Sequence, residues 1–333
     1  MASFLRQIAY LASWQLRSWF GRRAPLQSVI FILDQCNLRC RHCSVYALTN
    51  PRIKTLAQIR AELEYCYGLG ARFVDFEGGE LYLWKDKQGD RIYTIDDVVD
   101  LAHEVGFWNV TITTNAQLPF DGSHADHIWV SMDGIGDWHD DIRGKGTFAR
   151  LEQNIARYKM SNDKCQMTND KCQISNRKSM ICVNLVLNNR NYPCLDETLE
   201  YVKNSPYIDS ISVNFHTPFS ETENLYLDPV IRNGLIDRLI TYKRRGYPIV
   251  NTVSGLKAMR VINGKTACTN RSCWITNFIF SDGSKAPKCM GYTHDVCDRC
   301  GFSMGGEMRA LWLLKPDTLL AGMKLRITAN EHS

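Results

Sequence analysis

No stretch of this chain is apolar enough, for long enough, to cross a bilayer. The longest uncharged apolar run near the start, Ile8 to Trp14, is broken by Ser13 and flanked by Arg6 and Arg17, whereas a spanning helix needs roughly 20 apolar residues. Residues 1–23 also lack the clean hydrophobic region and small-residue cleavage site of an export signal. Dense basic runs interleaved with aromatics are missing too. The net charge of +5 is spread over 333 residues, so nucleic acid is not an expected partner. An even cysteine set is likewise absent. Thirteen cysteines in a long chain without an export signal do not make a disulfide framework. Thiolates serving as metal ligands in a reducing compartment are the better reading, and that points to the cytoplasm.

What is present begins with helical periodicity. Leu5, Ile8, Ala12, Leu16 and Trp19 recur at helical spacing and Arg22 and Arg23 close the segment, so residues 1–25 are expected to form an amphipathic helix. Such a helix either packs on the main domain or makes peripheral contact with anionic lipid through residues 1–23, a boundary that tryptophan and arginine suit.

From residue 26 to 255, apolar runs alternate with helical stretches. Strands are expected at Val29–Leu33, Phe73–Phe76, Val110–Thr114, Ile128–Met132, Ile181–Leu187 and Ile211–Phe215, and helices at Thr55–Leu69, Ile95–Val105, Thr147–Lys159 and Cys194–Lys203. That alternation implies βαβ units and a parallel sheet. The expected fold is α/β, a partial (β/α)6 TIM-like barrel with ligands at the strand C-terminal ends, although periodicity alone also allows a doubly wound sheet. Residues 159–179 interrupt the pattern with a seven-residue period in three copies, beginning at Met160, Met167 and Ile174. One apolar position per repeat besides cysteine is too few for a coiled coil. The segment reads as a polar low-complexity surface loop, with Cys165 and Cys172 as passengers of the repeat. Near Gly255 the character changes. Residues 256–333 hold five cysteines between Cys268 and Cys300 and are expected to form a small Cys-rich β-hairpin lobe and a C-terminal helix.

The chemistry concentrates in Cys36-Asn37-Leu38-Arg39-Cys40-Arg41-His42-Cys43, directly after a strand. Three thiolates in so short a loop can wrap one corner of a cubane cluster, whereas a structural zinc normally takes four protein ligands. The Cys-x3-Cys-x2-Cys spacing resembles the signature of the radical S-adenosylmethionine (SAM) superfamily. The resemblance implies a [4Fe–4S] cluster on Cys36, Cys40 and Cys43, with SAM on the open iron and reductive cleavage to a 5′-deoxyadenosyl radical. It also implies that His42, in place of the usual aromatic residue, lies near adenine. Glu77-Gly78-Gly79-Glu80 after the second strand is similar to the family's Gly-Gly-Glu-Pro motif, with Leu81 in place of proline, and implies that Glu80 holds the SAM amino group. Thr113-Thr114-Asn115 and Ser131-Met132-Asp133-Gly134 resemble strand endings near SAM, which brings in Asn115, Ser131 and Asp133. Arg143, in His139-Asp140-x2-Arg143-Gly144-x-Gly146, is either a carboxylate or substrate partner or half of a structural ion pair.

The second cysteine cluster is Cys268-x4-Cys273, an apolar run, the turn Ser281-Asp282-Gly283-Ser284, Cys289, and Cys297-x2-Cys300. Asp-Gly between short strands signals a hairpin. The pattern resembles the twitch domain, a reduced SPASM lobe. The resemblance implies an auxiliary [4Fe–4S] cluster on Cys273, Cys289, Cys297 and Cys300, with Cys268 a spare for Cys273 and zinc the rival metal. Cys66, Cys182 and Cys194 fall in helix or strand patterns and read as buried neutral thiols.

Enzymes of the SPASM and twitch type act mostly on peptides or proteins and sometimes on small molecules. The expected activity is therefore C–H activation of such a substrate, with an electron donor such as flavodoxin or ferredoxin. The alternatives are an enzyme that adenosylates hopanoid lipid, towards which the C-terminal region has a fainter likeness, and a non-catalytic iron–sulfur or zinc scaffold.

Overall fold

Six apolar runs, each too short for a helix and all but the third followed by one before the next barrel strand or the chain's C-terminal part, set the architecture. In the computed structural model, which describes residues 2–20, 25–43, 50–167, 179–266, 275–286 and 295–322, they become β1 (Gln27–Leu33), β2 (Phe73–Gly78), β5 (Asn109–Thr114), β6 (His127–Ser131), β7 (Met180–Leu187) and β8 (Ser210–Phe215). Two hairpins of very short strands, β3 (Asp86–Gln88) with β4 (Arg91–Tyr93) and β9 (Val261–Ile262) with β10 (Lys265–Thr266), stand apart from them, and β11 (Thr276–Ile279) and β12 (Lys285–Ala286) follow. The helices are α1 (Ala2–Trp19), α2 (Leu56–Gly68), α3 (Ile95–Val105), α4 (Asp137–Arg143), α5 (Thr147–Met167), α6 (Leu195–Asn204), α7 (Pro229–Arg244), α8 (Val253–Ala258) and α9 (Ser303–Trp312). Their boundaries follow local chemistry. Thr55 with Gln58 and Thr94 with Asp97 form capping boxes, Asp228 caps α7 ahead of Pro229, and Gly106 ends α3 at φ 110°.

The sheet runs β12-β11-β1-β2-β5-β6-β7-β8. Every pairing is parallel except β11 with β12, which makes the expected partial barrel. Alternate residues, such as Ile30, Ile32, Val74, Phe76, Val110 and Ile112, pack outward against the helices as the main core. The other set faces inward and is largely polar: Asp75, Thr111, Thr113, Ser131, Asn184 and Asn214 lie on that face by the period of two.

Four expectations change. The C-terminal hairpin exists, but β11 pairs with β1 from Gln27↔Thr276 to Ile30↔Ile279, so it extends the barrel sheet instead of standing as a separate lobe. Burial drives this: Ile279 joins the main core, while Phe278 packs with Val29 and Phe31. Second, α5 continues to Met167 through the first copy of the repeat, because extending an existing helix costs no new nucleus. Residues 168–178 lie outside the described residues. Third, the β3–β4 hairpin was not foreseen, since three-residue strands are too short to show alternation. Fourth, α1 does pack on the domain, but through a different face from the expected stripe. Trp14, 1% exposed, packs with Leu26 and Ile275, while Ile8, Leu16 and Trp19 point to solvent. Gln15 Nε2 donates to the Trp312 carbonyl at 3.2 Å, and the Tyr10 hydroxyl donates to the Gly70 carbonyl. No described helix is long and apolar enough to cross a membrane.

Candidate active site

The three cysteines of the first motif lie on the loop that leaves the C-terminal end of β1. The Cys43 N–H donates to the Cys40 carbonyl at 3.1 Å and the Leu38 N–H to Cys36 Sγ at 3.4 Å, which curls the loop so that its thiols share one region. The Arg41 N–H donates to the Ile142 carbonyl at 2.9 Å and ties the loop to α4. Burial raises the Cys36 thiol and lifts Cys40 to about 11, against the pull of Arg143 on the latter. Without metal these are neutral thiols, and a bound cluster must offset the cost of deprotonating them. Among the described residues no three His, Cys, Asp or Glu side chains converge as they would on one metal ion. A cubane asks for something different, one thiolate on each of three irons, and the loop offers that number.

The glycines of Glu77-Gly78-Gly79-Glu80 work on the protein's own backbone. A Cβ on Gly78 would lie 2.4 Å from the Leu33 carbonyl oxygen, and one on Gly79 would lie 2.0 Å from that of Gln35. Their absence lets the Gly79 N–H donate to Leu33 O and the Glu80 N–H to Gln35 O, both at 2.8 Å. The β2 loop is thereby laid directly on the cysteine loop. Glu80 is fully buried, and its carboxylate accepts from the Thr114 hydroxyl at 2.7 Å, the Asn115 N–H at 2.8 Å and the Tyr82 N–H at 3.2 Å. These donors tie the β2 loop to the end of β5. Burial raises the Glu80 pKa against these three donors.

Asn115 connects the same parts. Its Nδ2 donates to Asn37 Oδ1 at 2.7 Å and lies 3.7 Å from Cys36 Sγ. Ser131 ends β6, opposite Asn184 of β7. Asp133 is fully buried and accepts from Arg143 Nε at 2.6 Å and from the Val186 N–H at 3.1 Å. Arg143 also points Nη1 at Cys40 Sγ, 3.8 Å away, and the His42 ring lies 3.7 Å from Asp133. Burial works to raise Asp133, but the Arg143 guanidinium and His42 hold it below the usual carboxylate range. Burial lowers His42 to about 4, so the ring is neutral at pH 7. Its Nδ1 is buried without a hydrogen-bond partner, an unsatisfied atom that a ligand at this site would satisfy. Together with the curled thiols, this shows that the residues present fit a cluster and a bound cofactor.

Sequence reasoning passed over several contributors. Thr114 holds Glu80, Asn37 receives Asn115, His139 Nδ1 accepts the Asp133 N–H at 3.1 Å, and Asn191 donates to the Asp133 carbonyl at 3.0 Å. Each supports another side chain: Asn37, Thr114 and His139 sit inside the sequence motifs without a role of their own there, and Asn191 lies outside them. Asp75 was also missed. It shares the inward face of β2 with Glu77 and accepts from Thr111 at 2.6 Å. Burial first, and for Glu77 also the neighbouring Asp75, push both carboxyls above the ordinary range.

Of the second cluster, Cys273, Cys289 and the spare Cys268 lie outside the described residues. Cys297 and Cys300 form a tight turn, with the Cys300 N–H donating to Cys297 O at 3.2 Å. The turn docks at the C-terminal end of β8. The Phe215 N–H donates to Gly301 O at 2.8 Å, and a Cβ on Gly301 would lie 1.8 Å from Phe215 O. Arg232 donates to the Cys300 carbonyl at 2.7 Å from beneath. Cys66, Cys182 and Cys194 are buried, and burial raises all three thiols, Cys194 to about 12.

Comparison with known proteins fits this picture. Residues 30–168 match the family model described as the radical SAM superfamily. A comparison with curated proteins finds no match. Among solved structures, SuiB of Streptococcus suis bound to precursor peptide SuiA superposes with a TM-score of 0.60 at 16% identity, covering 94% of this chain and 70% of that one. SuiB bound to S-adenosylmethionine gives 0.59 at 17%, over 91% and 68%. The structure named anSMEcpe with bound AdoMet and Cp18Cys peptide gives 0.56 at 16%, over 88% and 81%. At such identities the structural likeness speaks for the fold. The stretch that matches the radical SAM superfamily model, residues 30–168, contains both the cysteine loop and the Gly-Gly turn.

Proposed function

We propose that the protein is an active radical SAM enzyme whose Cys36, Cys40 and Cys43 hold one [4Fe–4S] cluster at the mouth of the barrel. The observation that carries the reading is the single hydrogen-bonded assembly in which this loop, the Gly78-Gly79 turn, Asn115 and Arg143 meet. One electron passed from such a cluster to SAM cleaves the sulfonium bond and supplies a carbon radical for C–H activation.

The chain's own groups would hold and shield the cofactor. Arg143 offers positive charge beside Cys40 for the SAM carboxylate, and Asp133 keeps that guanidinium aimed. The Glu77-Gly78-Gly79-Glu80 turn, with the Glu80 carboxylate held in place by Thr114 and Asn115, would take the SAM amino group. Ser131 and Asn115 offer hydroxyl and amide to the ribose and carboxylate, and the neutral His42 ring suits adenine. The inward polar lining below positions the substrate and excludes bulk water.

A peptide or protein is the favoured substrate class, in line with the peptides named in the SuiB and anSMEcpe structures; a small molecule is the second. Cys297 and Cys300, with Cys273 and Cys289, would hold an auxiliary [4Fe–4S] cluster at the end of β8. A cytoplasmic flavodoxin or ferredoxin would supply the electrons. The test is anaerobic reconstitution followed by dithionite reduction with SAM. About eight irons per chain and formation of 5′-deoxyadenosine are expected, on four irons per cubane. Cys40→Ala should lose half the iron and all SAM cleavage. Iron without SAM cleavage in the intact protein would return the chain to the scaffold class.

A further inference from the structure

The apolar stripe of α1 is left uncovered. Trp14 and Tyr10 pack inward, yet Ile8 is 47%, Leu16 52%, Trp19 45% and Phe20 81% exposed. With Ala12 they form one row on the helix face opposite Trp14. The Trp19 indole N–H donates to the Trp312 carbonyl at 3.3 Å, and the next two residues, Leu313 and Leu314, are themselves 44% and 40% exposed. The row therefore continues onto a segment remote in sequence. A patch built from two elements is more than scattered surface apolar residues.

Charge singles out one occupant. No Asp or Glu precedes Asp34, while Arg6, Arg22 and Arg23 lie in or just after α1, and Arg17 turns its guanidinium toward Gly70 on the docked side. An acid-free helix with exposed Ile, Leu, Trp and Phe, followed by paired arginines, has the composition of a helix that lies in the headgroup plane of an anionic bilayer.

Position in the fold adds a consequence. Apart from its contacts with α9 around Trp312, the described part of α1 packs at the N-terminal ends of the strands. Its cluster includes Leu26, Phe73 and Ile275, the Tyr10 ring meets Trp108 at 5.0 Å, and the Tyr10 hydroxyl reaches Gly70. The cysteine loop leaves the opposite ends. We propose that the outward face of α1, extended by Leu313 and Leu314, docks on an anionic phospholipid surface and holds the barrel with its cysteine loop facing away from the bilayer. Substrate then arrives from the aqueous side, which argues against a bilayer lipid such as a hopanoid as substrate. This docking does not depend on the enzyme reading.

The test is co-sedimentation of the full chain with vesicles of phosphatidylcholine alone or doped with phosphatidylglycerol. Binding to the doped vesicles is expected, weakening with added salt as the charge component is screened. Leu16→Glu/Phe20→Glu should reduce partitioning by about tenfold or more. Its melting midpoint and iron content after reconstitution should stay at the parent values, because both side chains are exposed. If that variant unfolds, Phe20→Ser, which adds no charge, takes its place with a smaller loss of binding expected. Failure of the parent to bind doped vesicles at low salt, or binding that survives both variants, overturns the proposal. So does light scattering that finds a dimer dissolved by the Glu variant without any vesicle binding, since a second copy would then cover the face.

Discussion

Removing Arg143 should strand a buried charge, and the cost can be worked from its surroundings. Asp133 is fully buried and Arg143 is 8% exposed, with 2.6 Å between Nε and Oδ2. Deleting one member of such a pair costs about 3–5 kcal/mol, because the other is left desolvated and uncompensated. Asp133 keeps the Val186 N–H and the nearby His42, so Arg143→Met should fall near the lower end, about 3 kcal/mol. The pH dependence gives a sharper check. In the parent Asp133 is held below the usual range, so its contribution is fully present above the unfolded value of about 3.9 and is lost only in stronger acid. Without Arg143, burial outweighs the Val186 N–H and His42 that still oppose it, and the folded pKa rises above the unfolded one. The stability of Arg143→Met then declines as pH rises through the region where the unfolded carboxylate ionises but the folded one resists. Urea unfolding of the metal-free protein at pH 5 and pH 8 should show a larger deficit at pH 8. Asp133→Asn/Arg143→Met should recover most of it. A deficit below about 1 kcal/mol at pH 8, or one equal at the two pH values, would refute the view of this pair as a desolvated charge couple.

Gly79→Ala places a methyl 2.0 Å from the Gln35 carbonyl oxygen; the loop must shift at a cost of about 1–3 kcal/mol, read as a lower melting midpoint together with reduced iron uptake. Glu77→Gln removes a carboxyl raised by burial and by Asp75. A raised carboxyl costs stability as pH increases above about 4.3, so the variant should show a flatter fall in stability towards alkaline pH than the parent. Trp14→Ala empties the contact between α1 and the strand N-terminal ends; a loss of about 3–5 kcal/mol is expected by urea unfolding, and faster amide exchange in α1 alone would mean that the helix undocks locally. Replacing residues 168–178, a polar low-complexity stretch, with a short Gly-Ser link should leave the melting midpoint and iron content at parent values.

The barrel was legible because its signal is local and repeated. Runs such as Val29–Leu33 and Ile181–Leu187 are short and mostly apolar, as strands of a helix-covered parallel sheet are, and the helical stretches alternate with them. The cysteine motif was legible for a related reason: ligands to one cluster on one loop must sit close in sequence. What periodicity could not supply was which surface covers which. Ile8, Leu16 and Trp19 form the better amphipathic stripe, yet α1 docks through Trp14, because the hollow beneath it is shaped by Leu26, Phe73 and Ile275 from three other segments. Glu80 shows its carboxylate in the sequence but not what holds it; that needs the approach of Thr114 and Asn115 at the end of β5, more than thirty residues away. The hairpin after Ile275 likewise shows its turn in the sequence but not its neighbour, since joining β1 depends on apolar surface that the rest of the barrel leaves open. Local patterns fixed the elements and the chemistry they carry, and long-range burial and hydrogen bonding decided what each side chain faces.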